Sequence, residues 1–265
     1  MYYKKFRKDI ESIGFKVNPY DPCVANRTIN GKQHTVTWRH VDDLKSSHVN
    51  PKVNDEFLGW LKRMYASDAI GEVKAVRGHR HDYLAMVLDY SRPGVPRVDM
   101  TNYVKTMIAD FPKKLEGVGT FPWTHKLFTV DDKSKKLDTE RAAVFHTFVM
   151  KAMYLCKRAR QDIQPGIAFL AKRTNEPNEG DWAKLVKILI FLKASQDKVT
   201  TLEADDSGTI KWYVDDAFAV HKDYKSHTGA TMTLGKGVLC SVSTKQKVMS
   251  RTSTEAELVG VDDVI

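Results

Sequence analysis

The stretch TWRHVDDLKSSHV, Thr37 to Val49, decides how the first part of the chain is read. Two aspartates, Asp42 and Asp43, stand side by side between two strand-like runs. In a regular strand neighbouring side chains point to opposite faces, so two adjacent carboxylates converge only at a tight strand-to-strand turn. The strand, Asp-Asp, strand pattern supplies such a turn. Two readings stay open: an exposed polar turn, or part of a divalent-ion site acting on nucleic acid. Just upstream, Asn30-Gly31 signals a hairpin between strand-prone runs. Val36 and Trp38 share one strand face, with Thr35 and Thr37 on the other. The opening YYKKFRKDIESIGF sets Phe6, Ile10 and Ile13 at helical spacing, with Gly14 as a stop. A second helix is expected over about 54–65, with Phe57, Leu61 and Met64 on one stripe.

The acidic pair recurs downstream in WYVDDAF, Trp212 to Phe218. Ile210, Trp212 and Val214 alternate as in a strand, and Asp215 closes it. STEAELVGVDDVI then reads as a helix capped by Ser253 or Thr254, with Leu258, Val261, Val264 and Ile265 as its apolar stripe. Glu255 and Glu257 are two apart, so at most one of them faces Asp215. A strand aspartate meeting a helix glutamate makes a two-carboxylate site that still needs a third ligand. His79 and His81 beside Asp82 form a weaker constellation that reads as polar loop. No GxGxxG, P-loop, GxSxG or HExxH pattern occurs.

Between the two acidic pairs, EVKAVRG and DYLAMVLDY read as strands. Thr101 then caps a helix striped by Val104, Met107, Ile108 and Phe111. Residues 112–138, rich in Lys, Gly, Pro and Asp, are the expected linker. Three apolar helical stretches follow, the first carrying Met150 and Met153, and a packed core explains them better than a cofactor box does.

A chain of 265 residues with 42% hydrophobic and 28% charged residues reads as globular. No apolar run approaches the ~20 residues that span a bilayer, and the N-terminus lacks an apolar signal core, so an intracellular location is expected. The formal net charge of +9 attracts polyanions. Cys23, Cys156 and Cys240 lie far apart, which speaks against a disulfide framework or a cysteine zinc site and for buried reduced thiols.

Read together, these blocks resemble a known family. HVDDL is similar to the Tyr-x-Asp-Asp signature of reverse transcriptases. GFKVNPYDPCVAN, YLAMVLDYS, YVDDAFAVHKDYKSHTG and STKQKVMSRTSTEAELVG resemble the polymerase–ribonuclease H part of copia-type retrotransposon polyproteins, over nearly the whole chain. The resemblance implies an α+β fold in three parts. An incomplete palm is expected over 1–96, a helical thumb/connection region over 97–199, and a truncated ribonuclease H-like sheet over 200–265. It implies catalytic and metal-binding roles for Asp42 and Asp43 on the palm hairpin, and for Asp215 and Glu257 in the ribonuclease H part. Mg²⁺ is the implied cofactor and an RNA/DNA template–primer duplex the implied partner, with no membrane.

Departures from the family pattern are equally specific. His40 stands where the family usually has Tyr, and Arg39 looks like an inserted residue that shifts strand facing unless a bulge absorbs it. Ala85 stands where Gly is usual, and Asp216 where a small neutral residue is usual. The family's first polymerase aspartate falls upstream of this chain and the third ribonuclease H aspartate beyond it. The expectation is therefore a fragment of an RNA-directed DNA polymerase/ribonuclease H without turnover, its truncated sheets prone to aggregation. The alternative is a basic nucleic-acid-binding remnant with no catalysis, and a third possibility is a product that does not fold stably.

Overall fold

Asn30 and Gly31 both adopt positive φ, 49° and 72°, and join two strands in the tight hairpin that their dipeptide demands. The computed structural model describes residues 2–38, 43–66 and 71–264. They divide into two compact units, Met1–Gly78 and His79–Ile265. Both mix helices with antiparallel sheet, as the α+β expectation requires. No helix among the described residues is long and apolar enough to cross a membrane.

The first unit runs α1 (Tyr2–Ser12), β1 (Lys16–Val17), β2 (Val24–Ile29), β3 (Lys32–Thr37), β4 (Lys45–Ser47) and α2 (Pro51–Tyr65). The strands form one antiparallel sheet in sequence order. Strand alternation sends His34, Val36 and Trp38 to one face, where they are buried with Ala25. Phe6 and Ile10 of α1 and Phe57 of α2 close over that face. Each fully buried Phe or Ile contributes roughly 1.5–3 kcal/mol of hydrophobic stabilisation. The side chain of Asn50 caps α2 by accepting from the Lys52 N–H, so the helix begins earlier than its apolar stripe alone suggests.

His34 is the exception in this apolar layer, with no exposed surface. Arg27 Nε donates to His34 Nδ1 at 3.2 Å, which fixes the ring proton on Nε2. Nε2 then donates to Ser46 Oγ (2.8 Å), Ser46 to Asn54 Oδ1 (2.7 Å), and Asn54 Nδ2 to the His48 carbonyl (3.4 Å). Burial, with Arg27 and His48 adding to it, lowers the His34 pKa to about 4.

The second unit opens with the meander β5 (Arg80–Tyr83), β6 (Met86–Asp89) and β7 (Arg97–Asp99), followed by α3 (Thr101–Ala109). DYLAMVLDY is therefore a hairpin rather than one strand. Its two turn residues, Leu84 and Ala85, have φ of 51° and 59°, the conformation in which Gly and Asn are preferred. A tertiary bond holds this unlikely turn in place, because Tyr154 Oη donates to the Leu84 carbonyl at 2.6 Å. Ala85→Gly is expected to relieve the turn and raise the urea midpoint by about 0.5–1 kcal/mol equivalent, with an unchanged denaturant slope.

Residues 112–138 are not a linker. Leu115 and Leu127 are buried in the helical core, and Trp123 and Phe128 pack against it. Lys193 Nζ donates to the Leu115 carbonyl (3.0 Å), and Lys184 Nζ to that of Thr129 (2.6 Å). The composition suggested a spacer; the few apolar residues within it set its path. The helices it lies on are α4 (Thr139–Cys156), α5 (Gln164–Ala171) and α6 (Glu179–Ala194), with a short 3-10 turn at Gln161–Ile163. α4 buries Phe145, Phe148, Val149, Ala152, Leu155 and Cys156, the i, i+3, i+4, i+7 pattern of a core-facing helix. Burial raises the Cys156 thiol to about 11, whereas Cys240 is exposed and Cys23 half-buried, so one of the three thiols is the buried kind expected.

β8 (Thr200–Thr201) then returns to the meander, with Val98 opposite Thr200 and Arg97 opposite Thr201. That pairing joins the meander to the helices and accounts for the division at residue 78 rather than near 96. β9 (Glu203–Ala204) pairs with β12 (Gly235–Lys236). The chain closes with β10 (Lys211–Ala217), β11 (His227–Thr233) and β13 (Cys240–Lys245), an antiparallel sheet in that order, and α7 (Ser253–Asp262).

Candidate functional site

The acidic residues of the second pair lie on β10, and the strand separates them. Tyr213 and Asp215 are exposed on one face, while Trp212, Val214 and Asp216 are half-buried on the other. α7 packs on the Asp216 face through Ala256 and Gly260, both buried and one turn apart. The bare Cα of Gly260 lies against the Asp216 carboxylate, and a Cβ there would overlap it. Leu258 and Val261, expected as the buried stripe, are instead exposed. Small residues win the contact face because the strand presents a carboxylate there, and that group leaves no room for larger side chains.

Gln246 organises the junction. It is 1% exposed, and its Nε2 reaches Asp216 Oδ1 (2.9 Å), Thr228 Oγ1 (3.1 Å) and the Ala256 carbonyl (2.9 Å). Strand β10, strand β11 and helix α7 thus meet at one amide. Asp216 Oδ2 is buried without a hydrogen-bond partner among the described residues. Burial raises the Asp216 pKa, the bonds from Thr228 and Gln246 oppose that rise, and the nearby Asp215 and Asp263 charges add to it.

The expected pairing of Asp215 with Glu257 is not formed across this junction. Asp215 opens to the other face of the strand, and Glu257 is exposed on α7. A strand aspartate does meet the helix, but it is Asp216, and it meets a glycine. Glu255 acts in capping: Thr252, the N-cap, accepts from the Glu255 N–H (3.1 Å), while Glu255 Oε2 accepts from the Arg251 N–H (2.7 Å). The cap lies one residue before the expected Ser253. Strand parity held the missed signal, since Trp212, Val214 and Asp216 share a face. So did the small-residue spacing of Ala256 and Gly260. Gln246, between two lysines, gave no such sign.

Of the first acidic pair, Asp43 is exposed on the connection between β3 and β4, where Thr37 opposite Lys45 is the last paired position. Asp42, with Arg39 and His40, lies outside the described residues. Magnesium takes near-octahedral oxygen ligands, and a two-metal centre needs carboxylates converging from separate elements. Asp215 and Asp216 diverge, Glu255 is engaged in capping, and Glu257 is exposed. Among the described residues, no group of three or more His, Cys, Asp or Glu is arranged to hold a metal ion.

A cleft of about 640 Å³ lies elsewhere, beside the β5–β6 turn, where Asp82, Ala85, Asp99, Tyr103 and Asp197 line it with Arg80. It contains none of the expected site residues. No protein-family model matches the chain, and comparisons with curated proteins and with solved structures gave no match.

Proposed function

We propose that this chain is a piece of a copia-type reverse transcriptase–ribonuclease H lineage, one that binds nucleic acid by charge and carries out no phosphoryl transfer by itself. The observation that carries this reading is the order of its sequence blocks, HVDDL, then YLAMVLDYS, then YVDDAF, then STEAEL, together over nearly the whole chain. The net charge of +9 supports the binding half, because lysines and arginines that neutralise phosphates release counterions. The divergence of Asp215 from Asp216, and the exposure of Glu257, support the non-catalytic half. In the intact lineage Mg²⁺ is the cofactor; here the backbone phosphates are the recognised groups and the cations on the surface recognise them.

Two measurements on the full chain test this. In a gel-shift titration with an RNA/DNA duplex, six or more phosphate contacts predict a loss of about 10³-fold in affinity between 50 and 200 mM salt. A primer-extension assay with Mg²⁺ or Mn²⁺ is expected to give no product. Salt-independent or absent binding would overturn the first half of the proposal. Extension that disappears in Asp43→Asn would overturn the second.

A further inference from the structure

On the second unit, two histidines and a phenylalanine close the packed loop onto the terminal sheet. His221 lies in the turn after β10, His227 at the start of β11, and Phe128 in the 112–138 loop. His221 Nε2 and His227 Nδ1 are 3.0 Å apart, so one nitrogen carries the bridging proton and the other offers its lone pair. His227 Nε2 lies 2.8 Å from Ser243 Oγ on β13. The Phe128 ring covers both imidazoles, with centroids 4.4 Å from His227 and 4.9 Å from His221. An ion pair of Lys222 with Asp132 ties the same loop to the same turn.

We propose that Phe128, His221, His227 and Ser243 form a proton-operated latch, which holds the 112–138 loop on the three-stranded sheet while both imidazoles are neutral. The geometry allows one bridging proton between the rings. When both rings are protonated, two N–H groups and two positive charges face each other across 3.0 Å. His227 is 6% exposed, so water cannot solvate that charge while the latch is shut.

The surrounding charges oppose protonation as well. Lys172, just past α5, acts on both rings, and Lys245, on β13, acts on His221. Asp223 is the acidic neighbour, and it is already paired with Lys245 at 2.7 Å. Burial, then the neighbouring charges, lowers both histidines from their ordinary 6.5 to about 4.

The sign follows from linkage. Histidines released from the latch regain a pKa of about 6.5, so the open form binds more protons than the closed form between pH 6.5 and 4. Closure is at full strength above pH 6.5 and weakens as the pH falls through that window. With two groups, each contributing about tenfold, the open population rises about a hundredfold between pH 7.5 and 5.5.

Hydrogen exchange on the full chain, corrected for intrinsic rates, reads this directly over residues 124–132. The wild type is expected to show about a hundredfold faster opening at pH 5.5 than at pH 7.5, with no comparable change in α4. His221→Phe, which keeps a ring without a proton site, is expected to leave about tenfold. If that variant does not fold, Lys172→Glu supplies the second readout: an added anion raises proton affinity in the closed state, so the response shrinks below that of the wild type. The latch is overturned by equal opening at the two pH values, by a full hundredfold response in His221→Phe, by an undiminished one in Lys172→Glu, or by parallel opening of α4.

Discussion

Gly260→Ala is expected to destabilise the second unit by about 2–3 kcal/mol, at the upper end of overpacking costs. The Asp216 carboxylate occupies the space a Cβ would enter, and Gln246 holds that carboxylate through Oδ1. The new methyl must push α7 off the strand or break the Gln246 junction. Urea unfolding followed by the fluorescence of Trp212, on the same strand face, measures the loss. A double-mutant cycle gives the cause: Asp216→Ala makes room, so Gly260→Ala on that background should cost less than 1 kcal/mol. Equal costs on both backgrounds would show that the helix is not seated by this contact. Asp216 also sets a pH dependence opposite to that of the histidines. Its folded pKa lies above the ordinary 3.8, so the folded state binds the extra proton and stability declines as the pH rises from 3.8 through the folded pKa. Asp216→Asn removes that slope.

His34→Ala is expected to cost the first unit about 3–4 kcal/mol, a large fraction of the stability of a unit this size. The substitution opens a cavity among Phe15, Phe57 and His48 and takes the acceptor from Arg27 and the donor from Ser46. Acid has a similar effect without mutation. His34 is lowered to about 4 in the folded unit and returns to about 6.5 on unfolding, so its contribution is complete above pH 6.5 and is lost as the pH falls toward 4. Between pH 6.5 and 5 the loss is about 1.5 kcal/mol. Urea midpoints followed through Trp38 at the two pH values give the wild-type change, and His34→Gln, which does not titrate, should show a much smaller one. A His34→Gln slope equal to that of the wild type would place the acid sensitivity elsewhere.

Several elements were legible because their signals are local. Asn30-Gly31 dictated a tight hairpin, and the alternation through Val36 and Trp38 gave the inner face of β3. The Phe6–Ile10 spacing gave α1, and the stripe of α3 with the apolar runs of α4 to α6 gave the helical core. The acidic pairs were legible as features, and Asp43 does lie between two antiparallel strands. The hairpin inside DYLAMVLDY was not legible, since Leu84-Ala85 carries no turn signature and Tyr154, far along the chain, holds the carbonyl of that turn. The 112–138 segment looked like a spacer because its composition is that of a spacer. Leu115 and Leu127 determine otherwise, through contacts that begin only once α6 exists.

The sequence by itself determined the helices and most strands, the cationic balance and the residues available for chemistry, although EVKAVRG, expected as a strand, forms none. Propensity and periodicity act within a few positions along the chain, and those properties need nothing more. Tertiary structure decided which of two adjacent carboxylates meets α7, which side of that helix is buried, and which histidines lose their water. Those outcomes depend on where distant segments land against one another: burial, a missing Cβ and an amide shared by three elements are properties of the assembled core.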